Sequence, residues 1–392
     1  MKTVCFYFQV HQPYRMRNYH ILDIENNHSY FDEEQNRAII KKVSEKCYLP
    51  ANQIIYELIQ QTQGRFRVAY SISGVALEQL ERFYPAVIES FQRLAQTGAV
   101  EFLAESYYHS LAIIFSPGEF REQVYKHLET LNRLFGIKPT TFRNTELAYH
   151  DYLAQQIEQM GFKAVLAEGV DWLVGENGSG KLYKASGTNN VKVLLRHYRL
   201  SDDIAFRFSS SKWQEYPLYA DKWASWVRAT PGPLVNIFID YETFGEHHWE
   251  SSGIFSFLKY LPQVLLSSPE IEILTPAEIA NKYEPMGEFA PPHWISWADT
   301  ERDLSAWLGN DMQRDAMERL YQLESRIKAS QDAGLIEDWR KLTTSDHFYY
   351  MSTKHAGDAE VHNYFNPHQG AHFAYTTFMR ILNDIEARLN LS

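Results

Sequence analysis

Acidic side chains follow an apolar stretch in the segment VNIFIDYETFGEHHW (235–249). Asp240 and Glu242 are two residues apart there, and residues two apart in an extended strand point to the same face. Two neighbouring carboxyl groups share one proton or divide roles, because the charge of each opposes ionisation of the other. A carboxylic acid whose pKa is raised in this way can protonate a leaving group near neutral pH. The segment therefore predicts acid catalysis by a carboxyl pair.

Three other apolar runs end in residues of the same kind. The first run ends at His11, the third continues into ESYYH (105–109), and the fourth ends in RNTE (143–146). At any single position, a polar cap where a strand meets water is the simpler interpretation. Four strand ends that agree favour one shared site.

The elements that must position these residues alternate between strand and helix patterns over the first two thirds of the chain. The strand-like runs are Thr3–Val10, Arg67–Ile72, Val100–Ala104, Thr140–Asn144, Ala164–Ala167, Val191–Leu195 and Leu234–Asp240. Repeated β–α alternation predicts a parallel sheet with helices outside it. No glycine-rich nucleotide turn follows the first strand, which favours a closed barrel over a doubly wound sheet. Active sites of such barrels lie at the carboxyl ends of the strands, where the polar residues fall.

The strand pattern stops near residue 300, and helical patterns follow at Leu304–Lys328, Gly334–Lys341 and Ala371–Leu389. We therefore predict an α/β chain with a seven-fold (β/α) barrel over residues 1–299. A helical C-terminal region, residues 300–392, is expected to contribute to the active-site cleft. Within the barrel, Val75–Gln96 reads as one long helix with a possible interruption at Pro85.

Composition narrows the class of protein further. The 392 residues are 45% hydrophobic and 22% charged, which is typical of a globular protein. The net charge of −11, without clusters of Lys or Arg, argues against nucleic acid as a partner. No apolar run reaches the length of a membrane span, and the two cysteines and the lack of a secretory signal predict a cytoplasmic protein. The 15% aromatic content suits a site that binds the flat faces of sugar rings.

Five short segments, in order, resemble the conserved motifs of glycoside hydrolase family 57, the α-amylase and 4-α-glucanotransferase family. They are HQP (11–13), GAVEFL (98–103), FRNTEL (142–147), DYETFG (240–245) and SDHFYY (345–350). Each segment is short, but five of them in the right order form a specific signature. The family fold is a seven-fold β/α barrel followed by helices, in agreement with the strand and helix patterns.

The resemblance implies a retaining enzyme for α-1,4-glucans such as starch, glycogen or maltooligosaccharides, working without a metal or other cofactor. Glu146 would be the nucleophile and Asp240 the general acid/base, with carboxyl groups ~5–5.5 Å apart. Glu242 is expected to be the negative neighbour that keeps Asp240 protonated, and Arg143 to keep Glu146 ionised. The expected substrate-binding residues are His11, His109, Arg143, Glu242, Trp297, Asp346 and His347. Trp297 is interpreted equally well as a sugar-stacking platform or as an anchor between domains.

The α-amylase-like branch of the family fits this sequence better than the transferase branch. Arg143 stands where that second branch has a Trp, and His109 stands where it has an acidic residue. A 4-α-glucanotransferase or branching enzyme remains the alternative. Two further alternatives are a metal-dependent carbohydrate enzyme on a similar barrel and a non-catalytic glucan-binding protein. The sequence leaves the oligomeric state open.

Two other motifs are interpreted as structural. The segment GENGSGK (175–181) begins like a phosphate-binding loop, but Leu182 stands where a Ser or Thr would bind Mg²⁺, so we expect a flexible surface loop. His368 and His372 have the spacing of zinc ligands on a helix. Pro367 and Gly370 would delay the start of that helix, so no metal site is predicted.

Overall fold

A barrel of parallel strands forms the centre of the protein in the computed structural model, which describes residues 1–354 and 366–391. The strands are β1 Lys2–Val10, β2 Val68–Ile72, β3 Val100–Phe102, β4 Thr141–Arg143, β5 Ala164–Glu168, β6 Leu182–Ala185, β7 Lys192–Arg196, β8 Leu234–Asp240, β9 Ile271–Ile273 and β10 Glu288–Phe289.

Helices surround the barrel and continue beyond it. They are α1 Glu33–Val43, α2 Leu49–Gln61, α3 Gly74–Phe83, α4 Pro85–Ala95, α5 Ala112–Phe115, α6 Pro117–Phe135, α7 Asp151–Gln159, α8 Asp171–Val174, α9 Tyr198–Ala205, α10 Ala220–Ala229, α11 Ile254–Leu266, α12 Pro276–Lys282, α13 Ser305–Leu308, α14 Asp311–Gln322, α15 Glu324–Ser330, α16 Ala333–Leu342, α17 Ser345–Tyr349 and α18 Ala371–Leu391.

The barrel consists of two hydrogen-bonded sheets joined at two junctions. One sheet has the order β3-β2-β1-β8, and the other contains β7-β5-β4, with every one of these neighbours parallel. At the first junction, Ala104 pairs with Phe142 between β3 and β4. At the second, the His197 amide donates to the Asn236 carbonyl over 2.8 Å, next to β7 and β8. Within the described residues, seven parallel strands thus close a ring, which confirms the predicted seven-fold barrel.

Alternation along β1 explains why this strand forms the middle of the barrel. Cys5 and Tyr7 point into the barrel, where they pack in a small core with Leu166 and Phe238. Residues of the opposite face, such as Phe6, pack in a larger core beneath the helices. Both faces are buried, as is usual for strands of parallel sheets.

Three short strands were not predicted from the sequence. β6 runs antiparallel to β7, β9 pairs with the first residues of β1, and β10 pairs with β6. Each has only two to four residues, too few for an alternating pattern to be recognised.

The long helix predicted at Val75–Gln96 is two helices in the structure. α3 ends at Phe83, and Pro85 opens α4, with Tyr84 at φ −151° between them. Proline fits the first position of a helix, where its missing N–H would have no partner. The predicted helix Leu304–Lys328 is likewise divided, into α13, α14 and α15.

The glycine-rich segment at 175–181 is only in part the surface loop that we expected, with Gly175, Glu176 and Asn177 exposed. Gly178, Ser179 and Gly180 are buried. A Cβ atom on Gly180 would lie 2.6 Å from the carbonyl oxygen of Pro231, so the glycine permits two backbone segments to pack directly. Gly180 therefore serves close packing near the start of β8.

A second apolar core forms where the C-terminal helices meet the loop after β1. Met16, Tyr19 and Tyr30 of that loop pack against helical residues such as Trp339 and Phe378. Across residues 1–354 and 366–391, no helix is long and apolar enough to cross a lipid bilayer.

Candidate active site

The Glu146 carboxylate lies just past the carboxyl end of β4, in the short turn Thr145–Leu147. The backbone of Glu146 has φ 59°, a left-handed conformation that residues other than glycine rarely adopt. The indole N–H of Trp297 donates to Oε2 over 2.8 Å, and the Ser345 hydroxyl donates to Oε1 over 3.2 Å. These donors hold the carboxylate in place and favour its ionised form.

His109 lies between two carboxylates. Its Nδ1 is 2.9 Å from Oε2 of Glu105, and its Nε2 is 3.4 Å from Oε1 of Glu146. Burial opposes a positive charge on the ring, but hydrogen bonds to both carboxylates outweigh burial and raise the pKa of His109 to about 9. At neutral pH the ring is therefore an imidazolium that faces Glu146.

His11 stacks on His109 with ring centroids 3.8 Å apart and planes 16° from parallel. Its Nε2 is 2.9 Å from Oδ2 of Asp346, and its Nδ1 is 2.6 Å from the Ser73 hydroxyl. Burial and the charge of His109 lower the pKa of His11. The stacked pair thus carries one positive charge, on His109.

Asp240 ends β8, beside Gln9 of β1. Burial, followed by the charge of Glu146, raises the pKa of Asp240 to about 6, although Arg143 and His109 act in the opposite direction. For Glu146, burial alone would raise the pKa, but the hydrogen bond and charge of His109 and the charge of Arg143 lower it. The two carboxyls therefore titrate in opposite directions from their ordinary values.

The structure corrects the expected role of Glu242. This side chain is buried, and its Oε1 accepts hydrogen bonds from the Tyr48 hydroxyl and, over 3.2 Å, from Gln12. Burial and the charge of Asp240 raise the pKa of Glu242 to about 8, so it is mainly neutral at pH 7. The negative neighbour of Asp240 is therefore Glu146, and not Glu242.

Trp297 covers Arg143 and reaches the Glu146 carboxylate at the same time. The Arg143 guanidinium carbon is 5.0 Å from the centroid of the Trp297 ring, and that of Arg196 is 5.7 Å away. Arg143 is fully buried, so its charge acts on the nearby carboxylates, and a sugar cannot reach it directly. Trp297 is thus a contact of Glu146, which neither of the two expected roles included.

His347 lies apart from the other expected site residues. It is fully buried and packs between Phe31 and Phe378, with ring centroids 6.5 and 6.2 Å away. Its neighbour Asp346 points towards His11 instead. The motif SDHFYY (345–350) therefore delivers Ser345 and Asp346 to the site and His347 to the second core.

Sequence reasoning assigned no role to four residues around the site: Gln12, Tyr48, Glu105 and Ser345. Glu105 was noted only as part of the polar segment ESYYH, although it follows the third strand in the same way that Glu146 follows the fourth. Ser345 adjoins Asp346 within a recognised motif. Tyr48 belongs to a helical segment far away in sequence, so no local pattern connects it with Glu242.

A metal centre is not apparent in the part of the chain that the structure describes. Over these residues, no three His, Cys, Asp or Glu side chains are grouped so that they could hold an ion. His368 packs against Tyr350 and Phe373, and α18 begins only at Ala371.

Comparison with known proteins identifies the family. The sequence model of glycosyl hydrolase family 57 matches residues 5–292. A provisionally assigned α-amylase of Methanocaldococcus jannaschii is 42% identical over 98% of this chain and 84% of its own.

Solved structures with the same fold have lower sequence identity. A family 57 branching enzyme from Thermococcus kodakaraensis has a TM-score of 0.68 at 15% identity, covering 99% of this chain and 90% of its own. An α-amylase from Thermotoga maritima has a TM-score of 0.65 at 13% identity, covering 100% and 96%. From the family match, the identity and the shared fold, the chain belongs to glycosyl hydrolase family 57.

Proposed function

We propose that the chain is a retaining, α-amylase-like enzyme acting on α-1,4-glucans, with Glu146 as nucleophile and Asp240 as general acid/base. The observation that carries this proposal is the opposite pKa shift of two neighbouring carboxyls. A retaining glycosidase needs one ionised and one protonated carboxyl at the same pH. The α-amylase name of the relative from Methanocaldococcus jannaschii supports the substrate class.

In the first step, the Glu146 carboxylate attacks the anomeric carbon while Asp240 gives its proton to the departing glycosidic oxygen. The bond between the anomeric carbon and that oxygen breaks as the glycosyl–Glu146 bond forms. The hydrogen bonds from Trp297 and Ser345 orient the attacking carboxylate. As charge moves from Glu146 to the sugar, the negative field on Asp240 falls, so its ionisation becomes easier.

In the second step, Asp240 removes a proton from water or from a sugar hydroxyl, and that oxygen displaces Glu146. Water gives hydrolysis, and an acceptor sugar gives transfer. Arg143 and His109 distinguish this sequence from the transferase branch and favour hydrolysis. A branching or transferase activity is the second candidate, supported by the structural likeness to a branching enzyme.

Incubation with a maltooligosaccharide of one length, followed by sizing of the products, separates these two candidates. Only shorter products are expected from hydrolysis. Products longer than the starting sugar would indicate transfer, and new branch points would indicate a branching enzyme. The configuration of the first product, read by NMR, tests the retaining geometry; an inverted anomer would contradict it.

The central experiment is Glu146→Gln, which removes the nucleophilic carboxylate and keeps the side-chain size. We expect sugar release to fall at least about 10³-fold, with glucan binding retained. Glu288→Gln, which changes an exposed glutamate on β10, is the matched control and should have wild-type activity. Unchanged turnover of Glu146→Gln would refute the nucleophile assignment and favour a different mechanism.

Two further measurements separate the remaining alternatives. A metal-dependent enzyme would lose activity after chelation and regain it when metal is returned, whereas the proposed mechanism predicts no effect of chelation. A non-catalytic glucan-binding protein would bind glucan without releasing sugar in either variant.

We also propose a cytoplasmic location, which is supported by two buried free thiols, Cys5 and Cys47.

A further inference from the structure

Glu105 is a fully buried carboxylate beneath the proposed nucleophile. Its Oε1 accepts hydrogen bonds from Gln9 and Ser71 over 3.1 and 3.0 Å. Its Oε2 is 2.9 Å from Nδ1 of His109 and 3.9 Å from a guanidinium nitrogen of Arg143. Each of these partners can donate a hydrogen bond, so the site is built for the ionised form. With no exposed surface, Glu105 cannot touch a substrate.

We propose that Glu105 is a positioning residue that acts through His109. Its carboxylate holds the proton on Nδ1 of His109 and thereby keeps a second N–H, at Nε2, directed at Oε1 of Glu146. This inference rests on the proposed function, in which Glu146 must be ionised before it attacks. It assigns a role to a residue that is neither nucleophile nor acid.

Each ring nitrogen of His109 faces a carboxylate oxygen. A neutral imidazole with its proton on Nδ1 would present a lone pair at Nε2, facing an oxygen of Glu146 at 3.4 Å. Two facing lone pairs repel. In the other neutral tautomer the lone pair at Nδ1 would face Oε2 of Glu105 at 2.9 Å, so contact with both carboxylates requires a second proton on the ring. The negative charge of Glu105 on the far side supplies the stabilisation that such a buried imidazolium needs.

The charge falls on His109 and not on the stacked His11 for a related reason. His109 has a carboxylate at each nitrogen, whereas His11 has Asp346 at one nitrogen and the neutral Ser73 hydroxyl at the other. The charged or titratable groups that act on His109, or on which it acts, are Glu105, Glu146, Arg143, His11, Asp240 and Asp346. Among these groups, Glu105 has no role in the two steps of the proposed mechanism, and its contact with His109 is the one that can influence them.

The backbone fixes Glu105 firmly enough for this task. Its amide donates to Nδ1 of His127 over 3.1 Å, and the other nitrogen of His127 lies 2.8 Å from the Ile72 carbonyl. His109 itself has φ 52°, which turns the loop back so that its ring meets the side chain four residues earlier. The backbone of this loop therefore fixes the side chains of Glu105 and His109 relative to each other.

Glu105→Gln tests the role of the negative charge, because glutamine still accepts a hydrogen bond from Nδ1. We expect kcat to fall by roughly tenfold or more with KM within about twofold, since transition-state interactions weaken while sugar contacts remain. The acid limb of the pH profile of kcat/KM should move to higher pH, because the pKa of Glu146 rises when its neighbour His109 is no longer a cation. Ser71→Ala is the control: it removes another donor to Glu105 but no charge, and should leave the acid limb unmoved.

A double-mutant cycle separates an action through His109 from a general structural effect. In the background of His109→Asn, adding Glu105→Gln should cost little further activity, because the mediator is already absent. Additive losses in the double variant would overturn the proposal. A change in the KM of Glu105→Gln alone, without a change in its pH profile, would overturn the proposal as well.

Histidine ¹⁵N NMR reads the same coupling without any substrate. The His109 signal, assigned by its absence in His109→Asn, should report an imidazolium up to about pH 9 in the wild type. In Glu105→Gln the ring should lose its proton at clearly lower pH. An unchanged titration would refute the role of Glu105, whereas absent α-glucan turnover would refute only the proposed function.

Discussion

At the residue scale, the site gives two similar carboxyl groups different protonation states. Glu146 has a cation and two neutral donors around it, namely His109, Trp297 and Ser345. Asp240 is buried and feels the negative charge of Glu146. Environment, and not residue type, therefore divides the proposed roles of attack and proton transfer.

This division predicts the pH dependence of kcat/KM. Asp240 must be protonated to act as an acid, so activity should fall as the pH rises through about 6. Glu146 must be ionised, and its lowered pKa places the acid limb below the ordinary range of glutamate. The measurement is a pH profile of kcat/KM on a maltooligosaccharide.

Asp240→Asn provides the control for that profile. On an aryl α-glucoside whose leaving group needs no proton, its alkaline limb near pH 6 should disappear. A wild-type alkaline limb near pH 4 would contradict the assignment, because it would require an acid with an ordinary aspartate pKa.

Residue spacing predicted part of this arrangement. The spacing of Asp240 and Glu242, two residues apart at a strand end, predicted an acidic site. It did not predict that Glu242 would be held neutral, because burial and the charge of Asp240 raise its pKa against the opposing effect of the Tyr48 hydrogen bond, and burial depends on segments far away in sequence. A pKa depends on neighbours in space, which one sequence does not specify.

At the element scale, the loop after β8 must pass very close to the segment that carries Tyr48. Gly245 has φ 110°, and a Cβ atom there would lie 2.0 Å from the carbonyl oxygen of Lys46. Gly253, farther along the same loop, also has a positive φ of 84°, but open space surrounds its missing Cβ. The two glycines separate the cost of close approach from that of backbone conformation.

Gly245→Ala should therefore destabilise the fold by about 2–4 kcal/mol, because both overpacking and a left-handed backbone oppose the new side chain. Gly253→Ala should cost only about 1 kcal/mol, from the backbone conformation alone. The free energy of unfolding in urea measures both. Equal losses in the two variants would show that the approach to Lys46 is not a strong constraint.

The predicted elements were more accurate where the chain makes long regular runs. The strand Leu234–Asp240 was predicted with its observed bounds, since six mostly apolar residues precede a polar end. The break at Tyr84 was only suggested by the following proline. The three-residue strand β9 depends on pairing with β1, a tertiary contact that its own residues do not encode.

At the scale of the whole molecule, the C-terminal helices complete the site begun by the barrel. Ser345 and Asp346 open α17 and contact Glu146 and His11 of the barrel. The helices are fastened to the barrel side by Asp384 of α18, which accepts hydrogen bonds from Tyr30 and from the Glu25 amide. The side chain of Asp384 is fully buried.

Asp384→Ala should lower the free energy of unfolding by about 3 kcal/mol, because Tyr30 and the Glu25 amide lose a buried acceptor. Asp384→Asn retains one acceptor oxygen and should lose less. Urea denaturation measures both losses, and the kcat of the folded variants at 25 °C should stay close to wild type. A loss below about 0.5 kcal/mol in the alanine variant would mean that the apolar core alone holds α18 in place.

The barrel class and the helical region after it were predicted from periodicity and are confirmed by the structure. The closure of the ring could not be predicted in detail. It depends on the pairing of Ala104 with Phe142 and on the hydrogen bond that the His197 amide donates to the Asn236 carbonyl. Such contacts join residues far apart in sequence, and no local pattern marks them.

The backbones of His109, Glu146 and Leu147 all have positive φ, between 50° and 59°. Left-handed conformations of such residues cost free energy that the rest of the fold must offset. Glycine would relax the chain at these positions, but at His109 and Glu146 it would remove side chains that the proposed mechanism needs. Descendants freed from selection for turnover would therefore gain stability by losing these side chains, and decay of the enzyme would begin at its reactive centre.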